Sequence, residues 1–503
     1  MKRATLRSDA RCGGIGRSVA LCAAAILGGC TVGPDFHTPA PPAATAYLPG
    51  GGPVPTVSAS GKDGGPQRFL MGKAVDAHWW GLFGSPTLDA LETEAIRNNP
   101  TLAAAQATLR QAHELHLAQR AATLPSVQAS ASALRQKNSE TLASPLTSNA
   151  QSYSLYAAQF DATYVLDLFG GQRRLIEAAA AEEQYQHFQV DAAYLALTTN
   201  VASTALQIAG LRAQIAAANA AIETDRRMLE TNRRMATAGE GSSVDVANAE
   251  TALEQAEQGM PALQKQVDQL TDQLAILVGR TPADMRALDL DLSQVRLPED
   301  LPLSLPSDLV RQRPDIRAAE ASLHIASAQV GVATAARLPN IVLNGTLGGN
   351  STAIGNLFSA GNSLWTIGAG VTQPVFDAGA LRHQQKAAEA AFDAAKAQYR
   401  EAVLAGFQNT ADVLQAIEAD AVTLRHAALA CAASARAADI ARTQYTKGET
   451  GSLPALAAEA TDQQNAQTLV QARAARYADT IALIQALGGG WWNNPDVSGE
   501  THQ

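Results

Sequence analysis

The chain repeats itself over most of its length. Asn99-Pro100 and the residues after it match Arg313-Pro314 and the residues after it at a constant spacing. The matched positions are Ala104, Leu109, Ala112, Leu124 and Pro125 in the first half and Ala318, Leu323, Ala326, Leu338 and Pro339 in the second. Further along, Gly239-Glu240 matches Gly448-Glu449. The fold must therefore be a tandem structural repeat in which both halves contain the same order of elements.

Each half predicts a helix, two short alternating segments, a very long helix, a tight turn and a last helix. The first helix opens with Ser85 as N-cap and Pro86 at the first helical position, where a missing amide proton is harmless. It runs to about Ala122 with an interruption after Asn99. The long helix covers about 173–236, which is about 95 Å at about 1.5 Å per residue. Its apolar residues recur at three- and four-residue steps between many Ala residues, a pattern typical of helices packed side by side in a bundle or helical barrel.

The segments between the helices alternate with a period of two. Residues 340–348 and 364–374 place apolar side chains at every second position, and 127–132 and 159–166 do the same in the first half. Their length of roughly 9 to 11 residues is what a tilted membrane-spanning strand needs, with one side for lipid and the other for a water-filled lumen. The alternative is a pair of soluble hairpins with one buried face.

Four strands per chain cannot close a barrel, and an open sheet edge in lipid leaves its amides unpaired. Other copies must therefore complete the sheet. Three copies give twelve strands, although the arithmetic alone also permits other numbers. The predicted fold class is an α+β membrane protein, with a trimeric 12-stranded transmembrane β-barrel that is continuous with a long periplasmic α-helical barrel.

The N-terminus has the order of a bacterial secretory signal. Basic residues precede an apolar run from Ser18 to Leu27, which is too short to span a bilayer as a helix. Leu27-Gly28-Gly29-Cys30 resembles the bacterial lipobox, which implies cleavage before Cys30 and attachment of S-diacylglycerol and an N-acyl chain to that residue. Thr31 at the next position favours the outer membrane by the same resemblance. The alternative is a plain signal peptide with an incidental Cys.

These signals predict the domain boundaries. Residues 1–29 are the signal peptide, and 30–84 are a lipidated N-terminal arm that its many Pro and Gly residues predict to be extended and weakly structured. The first repeat covers 85–295 and the second covers 296–490. Residues 491–503 form a C-terminal tail.

Composition argues against several classes of function. The formal net charge of −9 argues against nucleic acid as a partner. Cys431 alone would remain unmodified after signal cleavage and lipidation, and its Ala-rich surroundings predict a small buried thiol. His113 and His116 lack the four-residue spacing of a helical zinc pair, and 239–242 match neither a phosphate loop nor a nucleophile elbow. The sequence therefore predicts no enzyme, no metal site and no cofactor besides the covalent lipid.

Six short stretches follow one another along the chain in an informative order. They are Cys30-Thr31-Val32-Gly33-Pro34-Asp35-Phe36, Trp79-Trp80 with Phe83 and Pro86, Leu166-Asp167-Leu168-Phe169-Gly170, Arg313-Pro314-Asp315-Ile316 with Ala319-Glu320, Pro374-Val375-Phe376-Asp377-Ala378-Gly379, and Ala486-Leu487-Gly488-Gly489-Gly490-Trp491. Together they resemble the TolC-like outer membrane factors, and within them the OprM/NodT-type RND efflux outer membrane lipoproteins. The resemblance implies a lipid-anchored homotrimer in contact with outer-membrane lipid. It also implies a large periplasmic portion that docks to a periplasmic membrane-fusion adaptor and an inner-membrane RND-type transporter.

The same resemblance makes the turns at 239–243 and 448–452 the periplasmic tips and gate. Its predicted gate and tip residues are Gly239, Glu240, Gly448, Glu449 and Leu453. The family's gate has a Leu shortly after the second tip glycine and an Asp four residues further on. Leu453 matches the Leu, but Ala457 occupies the Asp position. Glu449 and Glu459 are alternative sources of negative charge, unless they only solvate the tip.

The predicted function is the outer-membrane channel of a tripartite RND-type efflux pump, a passive conduit for drugs or other small toxic compounds. The alternative is the outer-membrane duct of a type I protein secretion system, and a more remote one is a periplasmic lipoprotein adaptor or spacer. The sequence does not identify the cargo, because a wide water-filled duct discriminates little between solutes.

Overall fold

The computed structural model describes residues 31–40, 42–141, 144, 148–285 and 289–493. The predicted signal peptide and the predicted lipid attachment residue, Cys30, lie outside these residues. Within the described ranges, no helix combines the length and the hydrophobicity that spanning a lipid bilayer requires. The chain divides into two compact units, and each unit draws on both halves of the sequence.

The elements recur in the same order in both halves. The α-helices of the described ranges are α1 (Pro86–Asn98), α2 (Pro100–Ala121), α3 (Gly171–Thr237), α4 (Ser243–Leu277), α5 (Pro306–Gln312), α6 (Pro314–Ala335), α7 (Ala380–Thr446) and α8 (Ser452–Ala486). The strands are β1 (Arg68–Met71), β2 (Ser126–Lys137), β3 (Ser152–Leu166), β4 (Asp300–Leu303), β5 (Asn340–Ser351) and β6 (Ser363–Thr372). The long helices α3 and α7 have 67 residues each, and α4 and α8 have 35 each. The predicted combination of long helices and short strands is confirmed.

Side-chain caps explain where the first helices begin. The Ser85 hydroxyl accepts a hydrogen bond from the Leu88 amide at 3.3 Å, and a Pro occupies the first helical position. The predicted N-cap is therefore confirmed. The predicted interruption is also confirmed, because Asn99 separates α1 from α2 and caps the second helix. Its Oδ1 accepts hydrogen bonds from the amides of Thr101 at 2.9 Å and Leu102 at 3.1 Å.

The first unit contains a four-stranded antiparallel sheet. It comprises 110–185, 319–399 and the described residues up to Thr38. The strand order is β2-β3-β5-β6, so the central strands come from different halves and β2 and β6 form the edges. Strands β2, β3 and β5 have 12, 15 and 12 residues. They exceed the predicted length of roughly 9 to 11 residues. The residues beyond the predicted segments interrupt the alternation of apolar and polar side chains, as at Leu134-Arg135 in β2 and Leu155-Tyr156 in β3.

The second unit contains a large hydrophobic core. Its fully buried members include Trp79, Phe83 and Tyr477. The side chains of Trp79 and Phe83 reach this core from a short 3-10 helix, Trp79–Phe83. Strand β1 pairs in parallel with β4. The prediction that 30–84 is weakly structured is therefore wrong for 68–83. Burial of each aromatic ring contributes about 1.5–3 kcal/mol, which outweighs the local preference of a Pro- and Gly-rich segment for extended chain.

Candidate functional site

The four-stranded sheet has one apolar face. Directly paired residues point to the same side of a sheet, so the register identifies the members of each face across all four strands. Ala129, Phe160, Leu347 and Trp365 lie side by side in one such row. The same face also carries Val127, Ala131, Ala133, Tyr156, Ala158, Ala162, Tyr164, Leu166, Ile341, Leu343, Ile367, Ala369 and Val371. The predicted alternation is confirmed over all four strands.

The apolar face is open in the single chain. The side chains of Phe160, Leu347, Trp365 and Ile367 are 59%, 63%, 72% and 81% exposed. Scattered exposed apolar residues are ordinary, but a contiguous apolar surface across four strands marks contact with a partner or a membrane. Exposure of this face to water alone is therefore unfavourable.

The opposite face of the sheet is mostly polar. In one row Gln128, Asp161, Thr346 and Thr366 lie side by side. Further polar members are Ser126, Ser130, Ser132, Gln136, Gln159, Thr163, Asn344 and Asn350, and the larger apolar exceptions are Leu134, Leu155, Val165, Val342 and Leu364. One face thus suits lipid and the other suits water.

The first described residues are fastened to the first unit beside the end of β3. The Val32 amide donates a hydrogen bond to the Phe169 carbonyl oxygen at 3.1 Å. Gly33 approaches α6 so closely that a Cβ on it would lie 2.4 Å from the Cα of Gly331. Only a residue without a side chain fits this contact. The segment after the predicted lipidation residue therefore has a fixed place next to the sheet.

Arg174, at the start of α3, holds this segment in place. Its side chain is only 4% exposed. Nε donates to the Val32 carbonyl oxygen at 3.1 Å, Nη2 to Asp35 Oδ1 at 2.7 Å, and Nη1 to Glu177 Oε2 at 2.7 Å. Burial lowers the pKa of Arg174, but the hydrogen bonds to Glu177 and Asp35 give a net raised pKa, so the guanidinium stays charged.

Two further contacts complete the arrangement. His324 Nε2 lies 2.9 Å from Glu177 Oε1, and the Phe36 ring stacks on the His324 ring at a centroid distance of 4.2 Å. We call this arrangement the N-terminal clamp; its residues are Thr31–Phe36, Arg174, Glu177, His324 and Gly331. No local pattern indicates this clamp, because Asp35 and Arg174 lie 139 positions apart along the chain.

The two predicted tight turns have the same backbone geometry. Gly239 and Gly448 have φ angles of +77° and +74°, which favour glycine. The Gly239 and Glu240 amides donate to carbonyls of the last turn of α3 at 3.1 and 2.9 Å, and the Gly448 and Glu449 amides do the same on α7, at 2.9 Å each. This is the hydrogen-bond pattern of a glycine-terminated helix, and it returns the chain at once into α4 and α8.

Most of the residues that the resemblance assigns to the tips are exposed, but Glu459, an alternative source of negative charge there, is buried. Glu240, Glu449 and Ala457 are exposed, and Leu453 is 60% exposed. Glu459 is only 3% exposed, and its Oε1 pairs with Arg442 at 3.0 Å. The prediction that Glu459 supplies negative charge at the surface of the tip is therefore wrong for a single chain. The gate role of the exposed residues stays a prediction.

Polar contacts tie the two turns together beneath the surface. The Tyr445 hydroxyl donates to Asn232 Oδ1 at 2.5 Å, and the Ser452 hydroxyl donates to Asp245 Oδ1 at 2.8 Å. These bonds join α7 to α3 and α8 to α4. Apolar residues from all four helices pack around them, among them Leu229, Leu253 and Leu456. The two helical hairpins therefore end in one packed cluster.

The chemically reactive side chains that the sequence offered form no catalytic arrangement. His113 and His116 both contact Glu183, at 2.8 and 2.6 Å, and the hydrogen bond to Glu183 raises the pKa of His113. Within the described ranges no three or more His, Cys, Asp or Glu residues form a group that could hold a metal ion. Cys431 is partly exposed, so the prediction of a buried thiol is wrong. Partial burial still raises its pKa, which lowers the reactivity of the thiol.

Comparisons with known proteins agree with this architecture. The chain matches the family model for outer membrane efflux proteins over residues 91–280 and 305–489. It is 30% identical to the probable efflux pump outer membrane protein TtgC of Pseudomonas putida, over 95% of this chain and 96% of the relative. It is 29% identical to the pyoverdine export outer membrane protein OpmQ of Pseudomonas aeruginosa, over 84% of this chain and 90% of the relative.

Solved structures give the same result at the level of the fold. The outer-membrane channel OprN has a TM-score of 0.81 and 27% identity, covering 92% of this chain and all of that one. The family model covers both halves of the tandem repeat and most of the chain. The chain therefore belongs to the outer membrane efflux protein family.

Proposed function

We propose that this protein is the outer-membrane channel of an efflux pump, a passive conduit built from three copies of the chain. In this proposal the sheet lies in the outer membrane, the long helices form a tube in the periplasm, and solutes pass along the polar faces of the sheets. The observation that carries the proposal is the contiguous apolar face of a sheet whose opposite face is polar. The family membership and the printed efflux or export roles of the relatives support it.

The open edges of the sheet support a multimer. Within the described residues, β2 and β6 each pair on one side only. Lipid offers no hydrogen-bonding partner to an unpaired edge amide or carbonyl. If β6 of one copy pairs with β2 of the next, three copies form a closed barrel of twelve strands without a free edge. The apolar face then faces lipid on every strand, as the bilayer requires.

A second exposed apolar surface supports contact between copies in the periplasm. Leu404, Val422, Leu429 and Ile440 on α7 are between 40% and 60% exposed. Their spacings are close to multiples of 3.6 residues, so they form one line along the helix. The same helix follows β6, an edge strand. A neighbouring copy that pairs with the sheet edge is therefore the partner we assign to this line.

The N-terminal clamp supports a lipid anchor at the same level as the sheet. Thr31 packs on Gly170, only a few residues after the end of β3. An acyl group on the preceding residue, Cys30, would begin where the strand ends. In this proposal the anchor and the barrel therefore enter the same leaflet, and the predicted S-diacylglycerol and N-acyl chains together suffice for stable attachment.

We assign the helix turns to the contact with a periplasmic membrane-fusion adaptor, and through it with an inner-membrane RND-type transporter. Glu240, Glu449 and Leu453 are exposed next to the two left-handed glycines, where a partner can reach them. A passive conduit needs no general base, nucleophile or cofactor. Selection of cargo then belongs to the pump rather than to the duct. No observation here favours the protein secretion duct, and the relatives named above are efflux or export proteins.

Planar lipid bilayers test this function directly. The wild-type protein, purified from outer membranes, should conduct ions in discrete steps. Ile367→Lys places a charge on the apolar face and should cost about 2–4 kcal/mol of membrane stability near the middle of the bilayer, so assembled channels should be lost. The matched control is Thr366→Lys, because the neighbouring residue faces the lumen. It should leave insertion intact and change only the conductance.

Equal loss in both variants would remove the distinction between a lipid face and a lumen face. Electrical silence from well-folded wild-type trimers would contradict the channel itself. Either result would favour the alternative in which the strands form soluble hairpins with one buried face.

A further inference from the structure

The polar face of the sheet carries a single charge. Across the four strands, all of whose residues are described, Asp161 is the one charged side chain on that face. The charged residues Arg135 and Lys137 lie on the opposite face, near the end of β2 that leads into the 138–151 connection. Any field inside the proposed lumen at this level of the sheet therefore comes chiefly from Asp161.

Asp161 is held in a defined position by its neighbours. Its Oδ1 accepts a hydrogen bond from the Thr346 hydroxyl at 2.9 Å, and its Oδ2 accepts one from the Ser130 hydroxyl at 3.2 Å. The Gln159 side-chain amide donates to both oxygens at 3.0 Å. The donors come from three adjacent strands, and hydrogen bonds of this kind favour the ionised carboxylate. The charge is thus fixed on a central strand rather than carried by a mobile side chain.

We propose that Asp161 forms a ring of three carboxylates in the lumen of the barrel, and that this ring makes the channel prefer cations. The inference rests on the proposed trimeric channel, since symmetry then places the three copies of Asp161 at one level. In this proposal the barrel contains a filter that acts on the charge of a solute and not on its size. Cationic solutes pass this level more readily than anionic ones.

The dimensions of the barrel set the strength of the effect. Twelve strands spaced about 4.8 Å apart and tilted by about 40° give a radius of about 12 Å, which leaves the carboxylates roughly 8 Å from the axis. With a Debye length of about 10 Å in 0.1 M salt, three such charges enrich a monovalent cation on the axis about threefold. In 1 M salt the Debye length falls to about 3 Å and the enrichment falls to roughly 1.2-fold.

Reversal potentials across a planar bilayer under a KCl gradient measure this preference. The wild type should prefer potassium over chloride in dilute salt and lose most of the preference near 1 M, as the screening length shrinks. Asp161→Asn keeps the size and most of the hydrogen bonds, and it should lower the preference by about threefold or more in dilute salt. Adding Thr346→Asp to that variant returns a carboxylate to the same row of the sheet and should restore the preference.

The matched control is Asp300→Asn, which removes one negative charge per chain from an exposed ion pair with Arg68 outside the four-stranded sheet. It should leave the reversal potential unchanged. Channels of Asp161→Asn that keep the wild-type preference would overturn the inference, as would a wild-type preference that is equally strong near 1 M salt. A wild type that forms no channels would contradict the proposed function, and with it this inference, so the two failures are distinguishable.

Discussion

Replacing Arg174 by Ala should release the N-terminal clamp while the rest of the fold persists. The change removes hydrogen bonds to Glu177, Asp35 and the Val32 carbonyl oxygen. Charge-assisted bonds contribute about 1.5–3 kcal/mol each, but the pair with Asp35 counts for little because that side chain is 80% exposed. The bond to Glu177 lies within α3 and does not hold the segment, so the loss comes chiefly from the Val32 carbonyl oxygen and is about 2 kcal/mol.

A loss of about 2 kcal/mol in local stability corresponds to a roughly 30-fold increase in opening of the segment. Hydrogen-deuterium exchange at the Val32 amide reports this opening, because that amide is hydrogen-bonded to Phe169 within the clamp. Exchange at Val32 should accelerate by about that factor in Arg174→Ala. Arg174→Lys keeps the charge but loses the planar fork, so it should give an intermediate rate.

The neighbouring arginine provides the matched control. Arg173 is 43% exposed and pairs with Asp167. Arg173→Ala should leave exchange at Val32 at the wild-type rate. Wild-type exchange in Arg174→Ala as well would refute the reasoning, because the segment would then be held by its glycine contacts alone.

Three more outcomes are expected in the second unit. Burial and the neighbouring Asp420 raise the pKa of Asp479 to about 7, so its charged form is disfavoured in the folded state; Asp479→Asn should raise thermal stability by about 1–2 kcal/mol above pH 7, after allowance for solvent screening, and the gain should shrink as the pH falls toward about 4. Gly448→Ala should cost about 1 kcal/mol in thermal unfolding because φ is +74°. Gly259→Ala is the control, because Gly259 is an exposed position within α4 with open space around an added Cβ, and it should cause no loss. Tyr445→Phe removes the hydroxyl bond to α3 and should cost about 1 kcal/mol, measured as faster proteolysis near the turns.

Local signals in the sequence predicted the elements and their order well. Ser85 at a helix start, the glycines of the two turns and the period-two segments each act through contacts within a few residues. Such contacts are set by backbone preference and side-chain periodicity, which a sequence displays directly. The two faces of the sheet were predictable for the same reason.

Contacts over long separations were not predictable in this way. The strand 68–71 pairs with 300–303, and nothing in its Pro- and Gly-rich surroundings indicates that partner. Arg174 reads locally as one more polar residue on a long helix, yet it is buried against residues 32–35. Glu459 reads as a tip residue from its position, but the packing of four helices buries it. In each case the deciding term is tertiary burial, which overrides the local pattern.

Native mass spectrometry on protein released from outer membranes tests the central claim most directly, with Cys30→Ala as the companion variant. The account predicts a homotrimer whose chains begin at residue 30 and carry the mass of the acyl groups. It predicts that the variant lacks this added mass. A monomer without acyl groups, recovered from the periplasm, would contradict both the trimeric channel and its anchor.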